Sequence, residues 1–352
     1  MDVYTFAKQA EKKIRLALLY WRRIVFAPDH FHCPFFTARK ANLLGGFTGD
    51  QWKLYSLDSK KRKEYLSEFD WYRSRYINEP FDFMLNNKVV ATEVLEKYIR
   101  VPEIYVIRTK GVMRDYTGRI LTEADVLALL RQKGQTIIKL YDKGKGLGIH
   151  RLGYLDGQYY VDAKAVDEAT AAATLDTKWN WYMSEVVIQH AYADTLYDKT
   201  VNTIRMIVLR DPKTQRFKLF FAVQRIGLEK TIPVDNGSAG GIVCKIDLDT
   251  GRLSYGRTLH DLVVYETHPD SGTRFEDMVI PDWQALKDEI LTLSERFPYL
   301  NFVAWDVVKL RDGTNCVIEA NTSSGVNIVQ LWGAQRHGEL GDFYRYHGVI
   351  KD

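Results

Sequence analysis

The stretch AWDVVKLRDGTNCVIEANTSSG, residues 304–325, decides the fold of this chain. It predicts two β-strands joined by a turn at residues 311–314. Asp306 lies among apolar residues on the first strand, and Glu319 and Asn321 stand two residues apart on the second. Because side chains alternate along a strand, we expect Glu319 and Asn321 on one face of the sheet, with Asp306 roughly opposite them once the strands pair.

Three oxygen-bearing side chains in an otherwise apolar hairpin indicate a site for a hard metal ion. Mg²⁺ prefers oxygen ligands and is commonly bound by one or two carboxylates together with substrate phosphates. The alternative is that Asp306 caps a turn while Glu319 and Asn321 face solvent. The apolar neighbours of Glu319 favour the metal site, because they indicate a covered strand, in which a charge is costly without a partner.

A loop rich in glycine follows a short strand in TIIKLYDKGKGLGIH, residues 136–150. Lys139 falls within the strand. The loop alternates glycine with other residues, including lysine, at Gly144, Gly146 and Gly148. Glycine lets backbone N–H groups approach phosphate oxygens closely, and lysine supplies the compensating charge. The loop matches neither common phosphate-binding glycine motif, so by itself it is equally compatible with an ordinary hairpin turn.

The composition is that of a globular protein. The chain has 352 residues, of which 46% are hydrophobic and 13% aromatic, and 49 Lys and Arg against 45 Asp and Glu leave a net charge of +4. This balance excludes a disordered chain and argues against nucleic acid as the main partner. Helices are separated by pairs of strands, such as residues 149–155 and 158–166 around the turn Asp156-Gly157. The pattern predicts an α+β architecture in at least two lobes.

Two features bear on where the protein works. Three cysteines, Cys33, Cys244 and Cys316, are odd in number and far apart, which is typical of a reducing compartment. No stretch reaches the roughly 18 apolar residues of a membrane-spanning helix, and the first residues lack the pattern of a secretion signal. We therefore expect a cytoplasmic protein.

Residues 1–85 are expected to be mostly helical, and they contain a basic amphipathic segment. In KQAEKKIRLALLYWRRIVF, residues 8–26, lysines and arginines are interleaved with large apolar residues. Such a segment either makes a peripheral contact with the inner face of the membrane or docks on the protein with its basic side chains in water. The docked arrangement is the commoner of the two in soluble proteins.

Taken in chain order, these features resemble the ATP-grasp superfamily over residues 86–332. The resemblance rests on Asn87-Lys88 at the start of a helix, Lys139 before the glycine loop, the segment Glu185-Val186-Val187, Arg205 on a strand, Asp306 and the pair Glu319-x-Asn321. The runs VNTIRMIVL, GGIVCKIDLDTGRL and VIEANTSSGVNIVQL are similar to the branch of sugar-transfer-associated ATP-grasp proteins. The implied fold is α+β, with two lobes that clamp a nucleotide and a mostly helical N-terminal region.

We expect three regions along the chain. These are a helical N-terminal region at 1–85, a lobe with the glycine loop at 86–183 and a lobe with the metal-binding strands at 184–352. Many ATP-grasp enzymes instead begin with a Rossmann-like lobe that helps to hold the second substrate. Because residues 1–85 show no alternation of strands and helices, the sequence does not assign the binding site of the second substrate.

The resemblance also implies a set of residues that bind ATP. They are Lys88, Lys139, Gly144, Lys145, Gly146, Gly148, Glu185 and Val187. The lysines on the helix and the strand would hold the phosphates, the glycine loop would close over them, and the last two residues would contact adenine and ribose. The alternatives are a solvated helix residue for Lys88 and a solvent-facing position on an edge strand for Glu185.

The resemblance implies roles in catalysis and metal binding for a second set of residues. Arg205 would act with Lys139 and stabilise charge on the transferred phosphoryl group, or else it pairs with a structural carboxylate. Asp306, Glu319 and Asn321 would hold two Mg²⁺ ions, with Mn²⁺ as the alternative. Ions bound there would neutralise charge that develops on the phosphates.

The implied activity is that of an ATP- and Mg²⁺-dependent ligase that joins a carboxylate to an amine through an acyl phosphate. By analogy with the branch, the carboxylate would belong to a sugar acid or a related glycan precursor, and the amine to an amino acid. The same nucleotide site would also serve a kinase that phosphorylates a hydroxyl. A third alternative is a non-catalytic scaffold of a glycan-assembly complex.

Further polar residues lie near the end of the run KLFFAVQRIG, residues 218–227, which predicts a strand. Arg225, Lys230, Asn236 and Ser238 lie on this strand and on the glycine-rich loop after it. They contact an anionic acceptor or the phosphates, or else they form a plain surface loop.

Overall fold

The computed structural model describes residues 3–141, 148–176 and 180–351. Of the expected site residues, Gly144, Lys145 and Gly146 lie outside these ranges. The chain divides into two compact units. The first unit comprises Met1–Asp82, Thr195–Trp305 and Asn321–Asp352, and the second unit comprises Phe83–Asp194 and Asp306–Ala320. The boundaries expected at residues 85 and 183 stay a prediction.

The N-terminal part of the first unit consists of helices, which confirms the expected helical region. These are α1 (Val3–Tyr20), a π-helical turn (Trp21–Val25), α2 (Phe35–Leu43), α3 (Gly49–Leu54), a 3₁₀ turn (Lys61–Glu64) and α4 (Glu68–Ser74). Two of them begin at side-chain caps. Thr48 Oγ1 accepts the N–H of Gln51 at 3.1 Å, and Ser67 Oγ accepts that of Asp70 at 3.2 Å. Such caps satisfy N–H groups that lack a partner within the helix.

The second unit contains an antiparallel sheet of eight strands. They are β1 (Ile104–Thr109), β2 (Val112–Arg114), β3 (Ile120–Leu121), β4 (Gln135–Leu140), β5 (His150–Leu155), β6 (Gln158–Val161), β7 (Lys164–Val166) and β8 (Trp181–Ser184). Their order in the sheet is β3-β2-β1-β8-β4-β5-β6-β7. Helices α5 (Asp82–Asn86) and α6 (Lys88–Leu95) precede the strands, and α7 (Glu123–Lys133) and α8 (Glu168–Leu175) contribute to the apolar core of the sheet.

The remaining strands form a sheet of six. They are β9 (Ile204–Arg210), β10 (Phe217–Ile226), β11 (Ile242–Ile246), β12 (Leu253–Arg257), β13 (Phe302–Lys309) and β14 (Asn315–Asn321), in the order β12-β11-β10-β9-β13-β14. The other elements are α9 (Ala191–Leu196), α10 (Trp283–Glu295), α11 (Val326–Gln330), α12 (Glu339–Tyr346) and 3₁₀ turns at Glu229–Thr231, Gly237–Ala239 and Phe275–Asp277. The strands expected for Arg205, Asp306 and Glu319 are therefore present.

The N-terminal helices share one core with the strands of the first unit. Trp52 and Leu66 belong to the same buried cluster as Ile207 and Phe221. Asn78 is 1% exposed, and its Nδ2 donates to the carbonyl oxygen of Phe302 at 2.7 Å. Burial of this apolar surface stabilises the unit at roughly 25 cal/mol per Å². The N-terminal helices are therefore part of the structure of this unit and not an appendage.

The structure departs from the sequence pattern near the turn Asp156-Gly157. That turn joins β5 and β6 as expected, but residues 158–166 form two strands instead of one, because the chain reverses at Asp162 and Ala163, with φ of 49° and 66°. Asp162 is held by β5, since its Oδ1 accepts the N–H of Arg151 at 2.9 Å. A contact between strands thus sets a turn that the alternation of residues does not show.

His268 is a buried histidine that the first unit holds in its neutral form. Its Nε2 lies 2.8 Å from the carbonyl oxygen of Gly227, and its Nδ1 accepts the N–H groups of Asp270 and Ser271 at 3.2 and 3.1 Å. Burial lowers the pKa of His268 from its ordinary value of 6.5. Protonation of Nδ1 would remove the acceptor of two backbone hydrogen bonds.

We expect the protein to lose stability as the pH falls below 6.5, because the unfolded chain then takes up a proton that folded His268 does not. The contribution of the neutral ring is complete above the unfolded pKa and decreases as the pH falls towards the lowered pKa of the folded state. Burial also lowers the pKa of His260 and His347, which act in the same direction.

The variant His268→Asn isolates this contribution, because asparagine offers an acceptor near the position of Nδ1 but does not titrate. Its Tm should fall by about 2–4 °C less than that of the wild type when the pH is lowered from about 7.5 to about 5.5. Thermal melts at the two pH values measure the difference. Equal falls in the two proteins would show that His268 is not responsible.

Candidate functional site

Lys88 is held at the start of α6 by the residue before it. Asn87 caps the helix, with its Oδ1 accepting the N–H groups of Val89 and Val90 at 3.1 and 3.2 Å. The Nζ of Lys88 lies 3.4 Å from Oε1 of Glu319, and the two side chains are 14% and 32% exposed. Lys88 is therefore not a solvated helix residue, and the second unit brings together two residues that the sequence assigned to phosphates and to metal.

The pair stands in a shallow recess that opens to solvent. The recess is lined by α6 on one side and β14 on the other, mainly through apolar side chains. Its lining residues are Leu85, Lys88, Ala91, Thr92, Leu95, Val101, Val317, Ile318, Glu319 and Ala320. One ammonium and one carboxylate against an apolar wall form a polar pair in a partly desolvated place, where charges interact more strongly than in water.

Asp306 and Lys309 are both buried on β13, at 2% and 3% exposure. Asp306 therefore lies within a covered strand and does not cap a turn in solvent. A buried carboxylate and a buried ammonium require compensating partners, since either charge is costly to desolvate alone. The sequence interpretation missed Lys309, although a lysine three residues after Asp306 in an apolar run was a usable signal.

Asn321 ends β14 and belongs to the first unit. Its Nδ2 is buried, as is Oγ of Ser324, and neither atom has a hydrogen-bond partner within the described parts of the chain. Buried polar atoms are normally satisfied, so such orphans call for a ligand or water. The assignment of the two ends of an amide follows from its hydrogen bonds, so Asn321 can present oxygen to a cation.

The donor chemistry at these positions fits Mg²⁺. Within residues 3–141, 148–176 and 180–351, no group of three or more His, Cys, Asp and Glu side chains is arranged to hold a metal. The expected set has only two carboxylates and one amide, all oxygen donors. Three protein donor groups suit an ion that completes its coordination shell with waters and substrate phosphates.

Glu185 follows β8, and its carboxylate is already engaged. Its Oε2 accepts hydrogen bonds from the guanidinium of Arg100 and, at 3.2 Å, from the N–H of Glu103, and its own N–H donates to Glu103 at 2.9 Å. The bond to Glu185 raises the pKa of Arg100. Glu185 is therefore half-buried and paired with Arg100, and the role expected for it and for Val187 at adenine and ribose stays a prediction. No local signal pointed to Arg100, because the two partners are far apart in sequence.

Lys139 lies on β4 of the second unit, which also contains Glu319. It pairs with Tyr182 of β8, and burial together with the charge of Glu319 raises the pKa of Tyr182. Burial also raises the pKa of Cys316 on β14 to about 12, with Arg100 and Lys139 acting in the opposite direction. Lys139 is therefore close enough to Cys316 of β14 for its charge to affect that thiol.

Gly148 is the one residue of the expected glycine loop within the described ranges. Its φ is +66°, and an added Cβ would lie 2.7 Å from the side chain of Leu140. Both observations require glycine at this position.

The first unit holds the other expected basic residues. Arg205 lies on β9 opposite Val223 of β10. Arg225 is 6% exposed and donates to Oδ1 of Asp235 at 2.6 Å. Arg225 therefore belongs to a buried ion pair, whereas Lys230 is exposed.

A model of the family described as sugar-transfer associated ATP-grasp matches residues 69–338, more than half of the chain. No curated protein matches the sequence.

Several solved structures are similar at low identity. D-alanyl-alanine synthetase A from Vibrio cholerae is 10% identical over 77% of this chain and 65% of that chain, with a TM-score of 0.44. The N5-carboxyaminoimidazole synthase of Aspergillus clavatus, solved with ADP and 5-aminoimidazole ribonucleotide, is 12% identical over 68% and 44%, with a TM-score of 0.37. The ATP-grasp ligase PsnB, solved with a minimal precursor, Mg and ADP, is 13% identical over 70% and 53%, with a TM-score of 0.37. The chain spans roughly half the length of these proteins.

Proposed function

Since this chain belongs to the sugar-transfer associated ATP-grasp family and has the ATP-grasp fold, we propose that it is an ATP-dependent ligase that joins a carboxylate to an amine. The observation that carries the proposal is the ion pair of Lys88 and Glu319, 3.4 Å apart in an open recess of the second unit. Buried Asp306 lies on β13 of the same unit. A lysine and two carboxylates are the groups that a bound polyphosphate and its cation need.

The reaction would proceed in two steps. An oxygen of the substrate carboxylate attacks the γ-phosphorus of ATP, the bond from that phosphorus to the bridging oxygen breaks, and ADP leaves with the electron pair. The acyl phosphate then carries a good leaving group on its carbonyl carbon. The amine attacks this carbon, loses a proton and expels phosphate, which leaves an amide.

The proposal assigns the phosphates to two lysines and the cation to three oxygen donors. Lys88 and Lys139 would compensate the negative charge of the polyphosphate. Asp306, Glu319 and Asn321 would hold Mg²⁺, or alternatively Mn²⁺, which when bound neutralises the charge that develops on the transferred group. The proposal includes two such ions.

Other roles rest on the family. Arg205 would stabilise the transferred phosphoryl group, and the loop of Gly144, Lys145, Gly146 and Gly148 would cover the phosphates. The description of the family as sugar-transfer associated supports a sugar acid or another glycan precursor as the carboxylate substrate, with an amino acid as the amine.

An assay of ADP release tests the proposal. Sugar acids are paired with amino acids in the presence of ATP and Mg²⁺, and ADP formation is expected to depend on both partners. Hydroxylamine in place of the amine should yield a hydroxamate, because an acyl phosphate reacts with any strong nucleophile. A stable phosphorylated product formed without an amine would identify a kinase and contradict the ligase, and a protein that binds but never hydrolyses ATP would favour the scaffold.

A further inference from the structure

Large apolar side chains are concentrated on the outside of residues 14–44. Eight of them are between 38% and 85% exposed: Ile14, Leu18, Trp21, Phe26, Phe35, Phe36, Leu43 and Leu44. Single exposed apolar residues are normal on a protein surface, but a contiguous group marks a site of interaction.

Ring contacts show that the aromatic members of the group are contiguous. The ring centroids of Trp21 and Phe26 are 6.3 Å apart, and those of Phe35 and Phe36 are 5.7 Å apart. The guanidinium of Arg39 joins the two pairs, since its carbon lies 5.9 Å from the ring of Phe26 and 5.0 Å from that of Phe35. We call these four aromatic residues the aromatic patch. It joins the π-helical turn to α2, and Ile14 and Leu18 extend it along one face of α1.

The aromatic patch is held in place by buried groups beneath it. Ile24 is 2% exposed, and its carbonyl oxygen accepts Nδ2 of Asn42 at 3.2 Å. The same Nδ2 donates to Phe47 at 3.0 Å, and the hydroxyl of Tyr20 donates to the carbonyl oxygen of Asn42. The exposed rings therefore stand on a folded support of the first unit.

The segment that carries Trp21 and Phe26 is strongly basic. Residues 8–26 contain one carboxylate, Glu11, and six exposed basic side chains, which are Lys8, Lys12, Lys13, Arg15, Arg22 and Arg23. The segment thus carries a net charge of +5 (6 − 1), against +4 for the whole chain. All of the excess positive charge of the protein can be ascribed to these 19 residues. A partner that fits must be negatively charged and must accept apolar side chains.

We propose that this surface docks on anionic phospholipid headgroups, with the aromatic patch inserted into the interface of the bilayer. Aromatic rings are favoured at the boundary between headgroups and acyl chains, and lysine and arginine are attracted to the negative surface of the membrane. No helix within the described ranges is long and apolar enough to cross a bilayer. The proposed contact is one of surface side chains with the bilayer interface, and it is independent of the proposed ligase chemistry.

Sedimentation of the full chain with vesicles tests the proposal. We expect the protein to pellet with vesicles of equimolar phosphatidylcholine and phosphatidylglycerol, to remain in solution with vesicles of phosphatidylcholine alone, and to be released by salt. The double variant Arg22→Glu, Arg23→Glu and the variant Phe36→Ala should each bind the mixed vesicles about tenfold more weakly. Phe83→Ala removes a phenylalanine of the second unit that is 64% exposed and should bind like the wild type.

Three outcomes would overturn the proposal. They are equal binding to both kinds of vesicle, no binding to either, and a loss for Phe83→Ala as large as that for Phe36→Ala. Gel filtration tests whether a second copy of the chain occupies the surface instead. A wild-type dimer that Phe36→Ala converts to a monomer, with no vesicle binding, would assign the aromatic patch to a second copy of the chain. Unchanged melting temperatures of the variants confirm that they are folded.

Discussion

Replacing Glu319 by glutamine is expected to slow ADP formation by about 100- to 1,000-fold. Glu319 stands 3.4 Å from Lys88 in the recess of the second unit, and we propose that its carboxylate holds the cation of the nucleotide. A metal ion supplies several kcal/mol of charge stabilisation in the transition state, and each 1.36 kcal/mol corresponds to about a factor of ten in rate. The measurement is the rate of ADP release at saturating ATP and Mg²⁺.

Glu93→Gln is the matched control, because it also converts a carboxylate to an amide in the second unit. Glu93 lies on α6 and is exposed, so the loss of its charge should leave the rate unchanged. A second readout is the affinity for ATP with Mg²⁺ and with a chelator. Glu319→Gln should abolish the difference that Mg²⁺ makes to this affinity. Wild-type turnover in Glu319→Gln, or an undiminished effect of Mg²⁺ on its affinity, would remove Glu319 from the metal site.

Replacing Asp235 by alanine is expected to lower the free energy of unfolding by about 3–5 kcal/mol. Asp235 and Arg225 are 5% and 6% exposed and form an ion pair at 2.6 Å. The other carboxylate oxygen of Asp235 accepts the N–H of Thr203 at 2.8 Å and also its hydroxyl group. The alanine variant would leave the charge of Arg225 buried without this carboxylate and would remove the acceptor of two donors on Thr203.

Urea unfolding followed by tryptophan fluorescence measures this loss. Asp249→Ala is the control, because Asp249 is an exposed aspartate of the same unit whose removal should change the free energy of unfolding by less than about 0.5 kcal/mol. A loss for Asp235→Ala as small as that of the control would mean that the ion pair contributes little to stability.

The first 82 residues take part in both the fold and the proposed membrane contact. Their inner side chains, such as Trp52 and Leu66, lie in the core of the first unit, and Asn78 is bonded to the start of β13. Their outer side chains form the basic surface with its aromatic patch. A segment that the sequence interpretation left without a role in catalysis is thus built into the core of the first unit.

Much of the site could be read from short-range patterns. Asn87 before Lys88 predicts the start of a helix, because a side-chain cap acts over two or three residues. The alternation of apolar residues predicts the strands of Asp306 and Glu319, and their spacing supports the resemblance to ATP-grasp proteins, which the family match confirms. The same reasoning gave the wrong structure for residues 158–166, where a contact with β5 produces an extra turn.

The sequence by itself determined the family, the strands and the helix start that carry the site, and the positions of the charged side chains along them. Only the tertiary structure decided which of those charges meet: Lys88 with Glu319, Glu185 with Arg100 and Arg225 with Asp235. The physical reason is range. Caps, turns and side-chain alternation depend on residues within a few positions of each other, whereas an ion pair depends on the packing of whole elements, which brings together side chains that are distant along the chain.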